Sequence, residues 1–218
     1  MVTKLLADNQ PIDSRFGDAV WLTSFITPDN PDVRLAHDRI VANIDSLTDR
    51  ITALWRFVSK IPYRETIGAS MNAGGRSLSQ PDTWFYPSEE MQVGVGNCAN
   101  KSFLLTSLLK NELPAPGQVY CVFGELRSNG AVLGNHAWVE ALVNGRNNII
   151  ETTIGDLSRA MIPAPSLDMY IPKIYFDEGR VYTADIQNTT DILNRRYGVR
   201  AIQFLHDYLC EKCLALEE

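Results

Sequence analysis

The chain has 218 residues, enough for one generous domain or one domain with an appendage. Apolar residues make up 45% and charged residues 21%, a balance that excludes disorder over most of the length. With 20 Lys and Arg against 26 Asp and Glu the formal charge is −6, which argues against a duplex nucleic-acid partner. No apolar run approaches the ~20 residues needed to cross a bilayer. Leu5-Leu6-Ala7 is too short for a signal-peptide core. The expectation is a cytoplasmic chain with reduced thiols and no membrane or nucleic-acid partner.

Residues 1–30 show no clear period and read as an N-terminal extension. Asn30-Pro31-Asp32 supplies an N-cap, a proline at the first helical position and an acid in the first turn. Ile40, Ile44, Leu47, Ile51, Leu54 and Val58 then alternate four and three apart, predicting one long helix or two nearly collinear ones, stopped by Ile61-Pro62-Tyr63. Residues 66–83 are rich in Gly and Ser and read as a long loop, either functional or a surface excursion. Residues 99–110 read as a buried helix stopped by Pro114 and Pro116. Strands are expected over 118–126, 137–143 and 148–153, with turns at Ser128-Asn129-Gly130 and Asn144-Gly145. Prolines 163, 165 and 172 interrupt the next stretch. Residues 174–176 and 181–183 form a small hairpin around Asp177-Glu178-Gly179-Arg180, and 190–216 is helical with a break at Gly198.

Four cysteines occur. Cys121, in Val119-Tyr-Cys-Val-Phe123, reads as a small buried hydrophobe. On a helix, His206, Cys210 and Cys213 would share one face, but no second Cys/His pair supplies a fourth metal ligand. A plain helix surface is the better reading, and no metal or cofactor is expected. Cys98 differs. Gln92-Val-Gly-Val-Gly-Asn-Cys98 places it at the first turn of the buried helix, with Asn97 as N-cap. A thiol there feels the positive helix end and unpaired N–H groups, which favour the thiolate and can hold an oxyanion. Gln92 is a candidate to add an amide to the same oxyanion.

A thiolate nucleophile needs a proton carrier, and only three histidines exist. His37 and His206 lie in helical segments of mixed polarity, where an exposed histidine is expected. His136 opens a strand in Gly134-Asn-His-Ala-Trp-Val-Glu140. A two-residue turn at Asn144-Gly145 pairs Val143 with Arg146 and sets His136 opposite Thr153. Glu151 then lies on the same face, diagonal to His136, at ~7–8 Å between backbones. Glu140 shares that face but sits ~13 Å along the strand, too far to hold the ring. Asp156 is the reserve.

Taken together, Gly96-Asn-Cys98-Ala-Asn-Lys-Ser, Asn135-His136-Ala-Trp-Val-Glu140 and Ile150-Glu151-Thr-Thr resemble the transglutaminase-like superfamily over roughly residues 31–155. Leu54-Trp-Arg-Phe-Val58 followed by Ile61-Pro-Tyr63 is similar to the segment preceding that family's cysteine. The resemblance implies an α+β, papain-like fold with N-terminal helices and a cysteine-bearing helix packed on an antiparallel sheet. It implies a Cys98–His136–Glu151 triad and amide chemistry on a peptide or protein substrate. A cysteine protease or amidase is favoured over a transglutaminase that uses an amine acceptor, an acyltransferase, or a peptide-binding module that kept the fold. The family's third residue is usually Asp, so Glu151 departs from it by one methylene. The family often uses an upstream tryptophan at the oxyanion, for which Trp84 is available; Gln92 is favoured. Trp84 and Trp138 are candidates to line the substrate cleft. The expected division is an extension over 1–30, a catalytic core over 31–155 and a C-terminal extension over 156–218, a hairpin plus helix packed on the same domain.

Overall fold

In a computed structural model of the chain, the described residues are 4–9, 11–15, 18–65, 67, 69–73, 76–80, 83–129, 131–155, 161–163 and 169–184. Helix α1 (Pro31–Val41) starts at Asn30, whose side chain accepts from the Asp32 and Val33 N–H groups. Helix α2 (Leu47–Ser59) starts at Ser46, which caps Asp49. The apolar period runs through both, but the chain breaks between them at Asn43, which adopts a φ of 63°. Helix α3 (Pro87–Val93) leads into α4 (Cys98–Glu112).

Helix α4 is buried over almost its whole length because it is covered on two sides. Leu104, Leu105, Leu108 and Leu109 pack with Ile51, Leu54, Trp55 and Val58 of α2. Phe103 stacks on Phe25 at 4.8 Å and packs against Phe123 and Phe176. Truncating any of these leucines to alanine costs about 2–5 kcal/mol.

The sheet beneath has seven strands, all antiparallel. They are β1 (Lys4–Ala7), β6 (Val119–Ser128), β7 (Ala131–Val143), β8 (Arg146–Ile150), β9 (Met161–Pro163), β10 (Tyr170–Phe176) and β11 (Val181–Ala184), in the order β1-β11-β10-β6-β7-β8-β9. Val139, Ala141 and Val143 of β7 face α4 and α2. The alternate residue Trp138 faces the other way, with Tyr120, Val122, Tyr170 and Tyr175. Two further hairpins stand apart from this sheet: β2 (Pro11–Arg15) with β3 (Asp18–Trp21), and β4 (Ala69–Ala73) with β5 (Arg76–Gln80).

Three expectations need correction. Residues 69–73 and 76–80 pair as strands β4 and β5, not as loop. Backbone pairing suffices there without the β-branched residues that usually mark strands. The expected strand over 148–153 is instead Arg146–Ile150, and the chain then turns away. His37 is buried, with its ring nitrogens 2.9 Å from Asp38 and 2.8 Å from Glu112. The carboxylate that pays for that burial comes from α4, 75 residues along the chain. The expected helix over 190–216, with His206, Cys210 and Cys213, and the reserve acid Asp156 lie outside the described residues.

Candidate active site

Asn97 caps α4 by accepting the Asn100 N–H at 3.0 Å, which sets Cys98 at the first helical position. The Sγ-bearing end of the helix meets β7 where that strand loses its neighbour: β8 pairs with β7 only from Val139 to Val143. The alternation of β7 puts His136 on the face of Trp138, away from α4. The imidazole and the thiol are still near enough for Cys98 to help raise the His136 pKa.

The Asn144-Gly145 turn takes positive φ at both residues, 51° and 74°, and pairs Val143 with Arg146. Past the end of β8, Glu151 Oε2 lies 2.8 Å from His136 Nε2. With Nε2 engaged there, Nδ1 is the nitrogen left for Cys98. Every lone-pair direction of Glu151 is used. Oε2 also accepts from the Tyr170 hydroxyl at 3.0 Å, and Oε1 accepts from the Thr153 N–H at 2.8 Å and hydroxyl at 2.7 Å. Its backbone carbonyl accepts the Trp55 indole N–H at 2.7 Å. Trp138 stacks near the imidazole, 6.3 Å between centroids.

Burial by itself lowers the His136 pKa, but hydrogen bonds with Cys98 and Glu151 and the charges of both push it up from 6.5 to about 9. Burial raises Glu151, and the opposing bond and charge of His136, with the Thr153 bonds, bring it down from 4.5 to about 2. Both shifts stabilise the native state, in opposite pH directions. The Glu151 contribution is present above pH 4.5 and fades as pH falls toward 2. The His136 contribution is present below pH 6.5 and fades as pH rises toward 9.

Glu90 of α3 lies fully buried under the segment that delivers Cys98, and neither carboxyl oxygen has a hydrogen-bond partner among the described residues. A Cβ added at Gly96 would sit 2.1 Å from Glu90 Oε1, so a larger residue there would have to displace the Glu90 carboxyl. Nearby Lys101 gives its ammonium to the Ser59 and Ile61 carbonyls at 3.3 and 2.9 Å. Burial raises the Glu90 pKa from 4.5 to about 8, against the pull of Lys101. The folded state thus holds a proton that the unfolded chain has released, and stability falls as pH climbs from 4.5 to 8. Glu90→Gln is expected to be more stable than the parent at pH 8, with the advantage shrinking at pH 5. Urea unfolding at the two pH values checks this. An advantage for the parent that grows toward pH 8 would show an ionised Glu90 paired with Lys101 instead.

The structure thus brings Cys98, His136 and Glu151 together. Trp84 is half-buried in the aromatic cluster that also packs against Cys98. Trp138 is a correction: it is fully buried beneath His136 and lines no cleft. Gln92 is exposed near the end of α3, and its side chain makes no hydrogen bond among the described residues. Sequence reasoning missed Tyr170, which lies beyond a proline-rich stretch with no pattern to align it, and the role of Trp55 as a donor to the Glu151 backbone. Among the described residues no three His, Cys, Asp or Glu side chains converge as metal ligands would.

No family model matches the sequence, and no curated protein matches it. Solved structures match its fold. Calcium-bound Legionella pneumophila LapG superposes with a TM-score of 0.50 at 13% identity, covering 71% of this chain and 81% of that one. The EGTA-treated form of LapG gives a TM-score of 0.50 at 13% identity, covering 75% and 83%. At such identity the likeness speaks of fold alone: this chain has an α+β fold, a cysteine-led helix on an antiparallel sheet, and shares it with LapG.

Proposed function

We propose that the chain is a thiol hydrolase of amide or peptide bonds, and the observation that carries this is a helix-opening Cys98 beside a His136 that is held by Glu151 at 2.8 Å. Cys98 Sγ attacks the carbonyl carbon, and the developing oxyanion is met by backbone N–H groups at the start of α4, which have no intrahelical acceptor. As the C–N bond breaks, the His136 proton passes to the departing amine and leaves an acyl thioester. His136 then takes a proton from water, whose oxygen attacks the thioester. The acid departs and the thiol regains its proton. Glu151 holds the ring in one orientation and balances the imidazolium charge; Tyr170 and Thr153 hold Glu151 in turn. The reading needs Cys98 as a free thiol, which a reducing setting would preserve. Among the described residues no helix is long and apolar enough to cross a membrane.

The test is alkylation by iodoacetamide across a pH series, with the modified cysteine mapped by mass spectrometry. Cys98 is partly exposed and is expected to react first, already at pH 6. Cys121 is expected to stay unmodified in the folded protein: it is fully buried, and burial, then the charge of Cys98, raise its thiol pKa. Faster labelling of Cys121, Cys210 or Cys213 at pH 6 would remove Cys98 as the nucleophile.

A further inference from the structure

The strand that carries His136 has an open side. Over Ala131–Trp138, no strand among the described residues pairs with β7 opposite β6. The Val143–Arg146 pair closes the hairpin on that side, and the Leu142 N–H points the other way, to the Gln118 carbonyl at 2.7 Å. Alternation along the strand therefore turns the backbone N–H and C=O of Asn135 and Ala137 toward the open side. An edge of this kind is a template for an extended chain.

Beside the edge is a cleft of about 340 Å³, lined by Tyr63, Leu126, Leu133, Asn135, His136 and Thr153 together with Gly134. A β-bulge builds one of its walls. Leu126 pairs with Gly134 and Arg127 with Val132, so Leu133 is the extra residue, and its side chain stands 65% exposed. Tyr63 is exposed as well. These residues hold apolar surface at the site; among the described residues no Asp, Glu, Lys or Arg lines the cleft, and the charge of His136 there is balanced by Glu151. The cleft is continuous with the chemistry, because His136 and Thr153 are part of its lining.

We propose that the substrate is an extended peptide segment that pairs with the open edge of β7 at Asn135 and places one large, uncharged apolar side chain between Tyr63, Leu126 and Leu133. Running on toward Ala137, which packs in the same cluster as Cys98, such a strand brings its next carbonyl to the thiol. This rests on the thiol-hydrolase reading, but its test does not require turnover.

The test measures binding to the Cys98→Ser protein. The probes are acetylated hexapeptide amides, alanine throughout except for one leucine or one aspartate walked through the six positions. At one position leucine is expected to bind at least about tenfold more tightly than aspartate. Leu133→Asp, at an exposed site that leaves the core untouched, should abolish that preference, and Leu133→Ala should weaken it. The β7 amides of Asn135 and Ala137 should gain protection from hydrogen exchange in the complex. Equal binding of all the peptides, or a leucine preference unmoved by both substitutions, overturns the proposal. Rapid alkylation of Cys98 alongside such a result would leave the hydrolase reading standing and this one fallen. A leucine preference with an inert Cys98 would mean the reverse.

Discussion

Replacing Cys98 with alanine is expected to abolish amide cleavage while the fold persists. The side chain sits at the first turn of α4, only partly buried, and the cap that starts the helix comes from Asn97. Removing the sulfur therefore deletes the nucleophile without touching the helix start or its leucine face. In a nucleophile–base system that acts as a unit, loss of the nucleophile costs roughly 10⁶-fold in turnover. Circular dichroism and a thermal melt close to those of the parent, with peptide cleavage at background, are the expected pair of results. Cleavage within about tenfold of the parent would mean that the reaction runs through another group.

The second large effect concerns Glu151→Gln. The side chain keeps its shape, yet the carboxylate accepts four hydrogen bonds, from His136, Tyr170 and twice from Thr153. A glutamine offers one acceptor oxygen and one NH₂, so the donors at one end of the group lose their acceptor. The imidazolium also loses the neighbouring negative charge. Its pKa then moves down from about 9, and the ring spends less time protonated and aligned. The equivalent change in a serine triad costs ~10⁴ in kcat, and a similar loss is expected here. Because His136 titrates lower, the pH profile of the residual activity should also shift toward acid. A variant within a few-fold of the parent, with an unmoved pH profile, would show that Glu151 does not support the imidazole.

Much of this site could be read before any coordinates, because its parts are local. Asn97 announces a helix start by the chemistry of one side chain, and Asn144-Gly145 announces a two-residue turn by its tolerance of positive φ. From that turn, parity predicts Glu151 and His136 on one face, although the pairing stops at Val139–Ile150 and Glu151 reaches the ring from just beyond the strand. What escaped reading depends on partners distant in sequence. His37 is buried only because Glu112 arrives from α4, and Tyr170 reaches Glu151 across a stretch of prolines. The serine- and glycine-rich segment around residue 75 hid a hairpin, since strand propensity there is weak and pairing decides. Trp138 shows the opposite failure. A tryptophan two residues from a reactive histidine invites a role in the cleft, yet strand alternation sends it into the core with the tyrosines.

The pairing of β1 with β11 has a practical consequence for anyone trimming this chain. Lys4–Ala7 is hydrogen-bonded to Val181–Ala184, and Phe25 sits at the centre of the aromatic packing that supports α4. Expressing residues 31–155 alone would remove both, along with Tyr170, β10 and β11. Strand β6 would then present a long bare border rich in Val, Tyr and Phe. Such a border recruits other copies of itself, so the shortened protein should precipitate rather than report weak activity. Inactivity in that fragment would say nothing about Cys98.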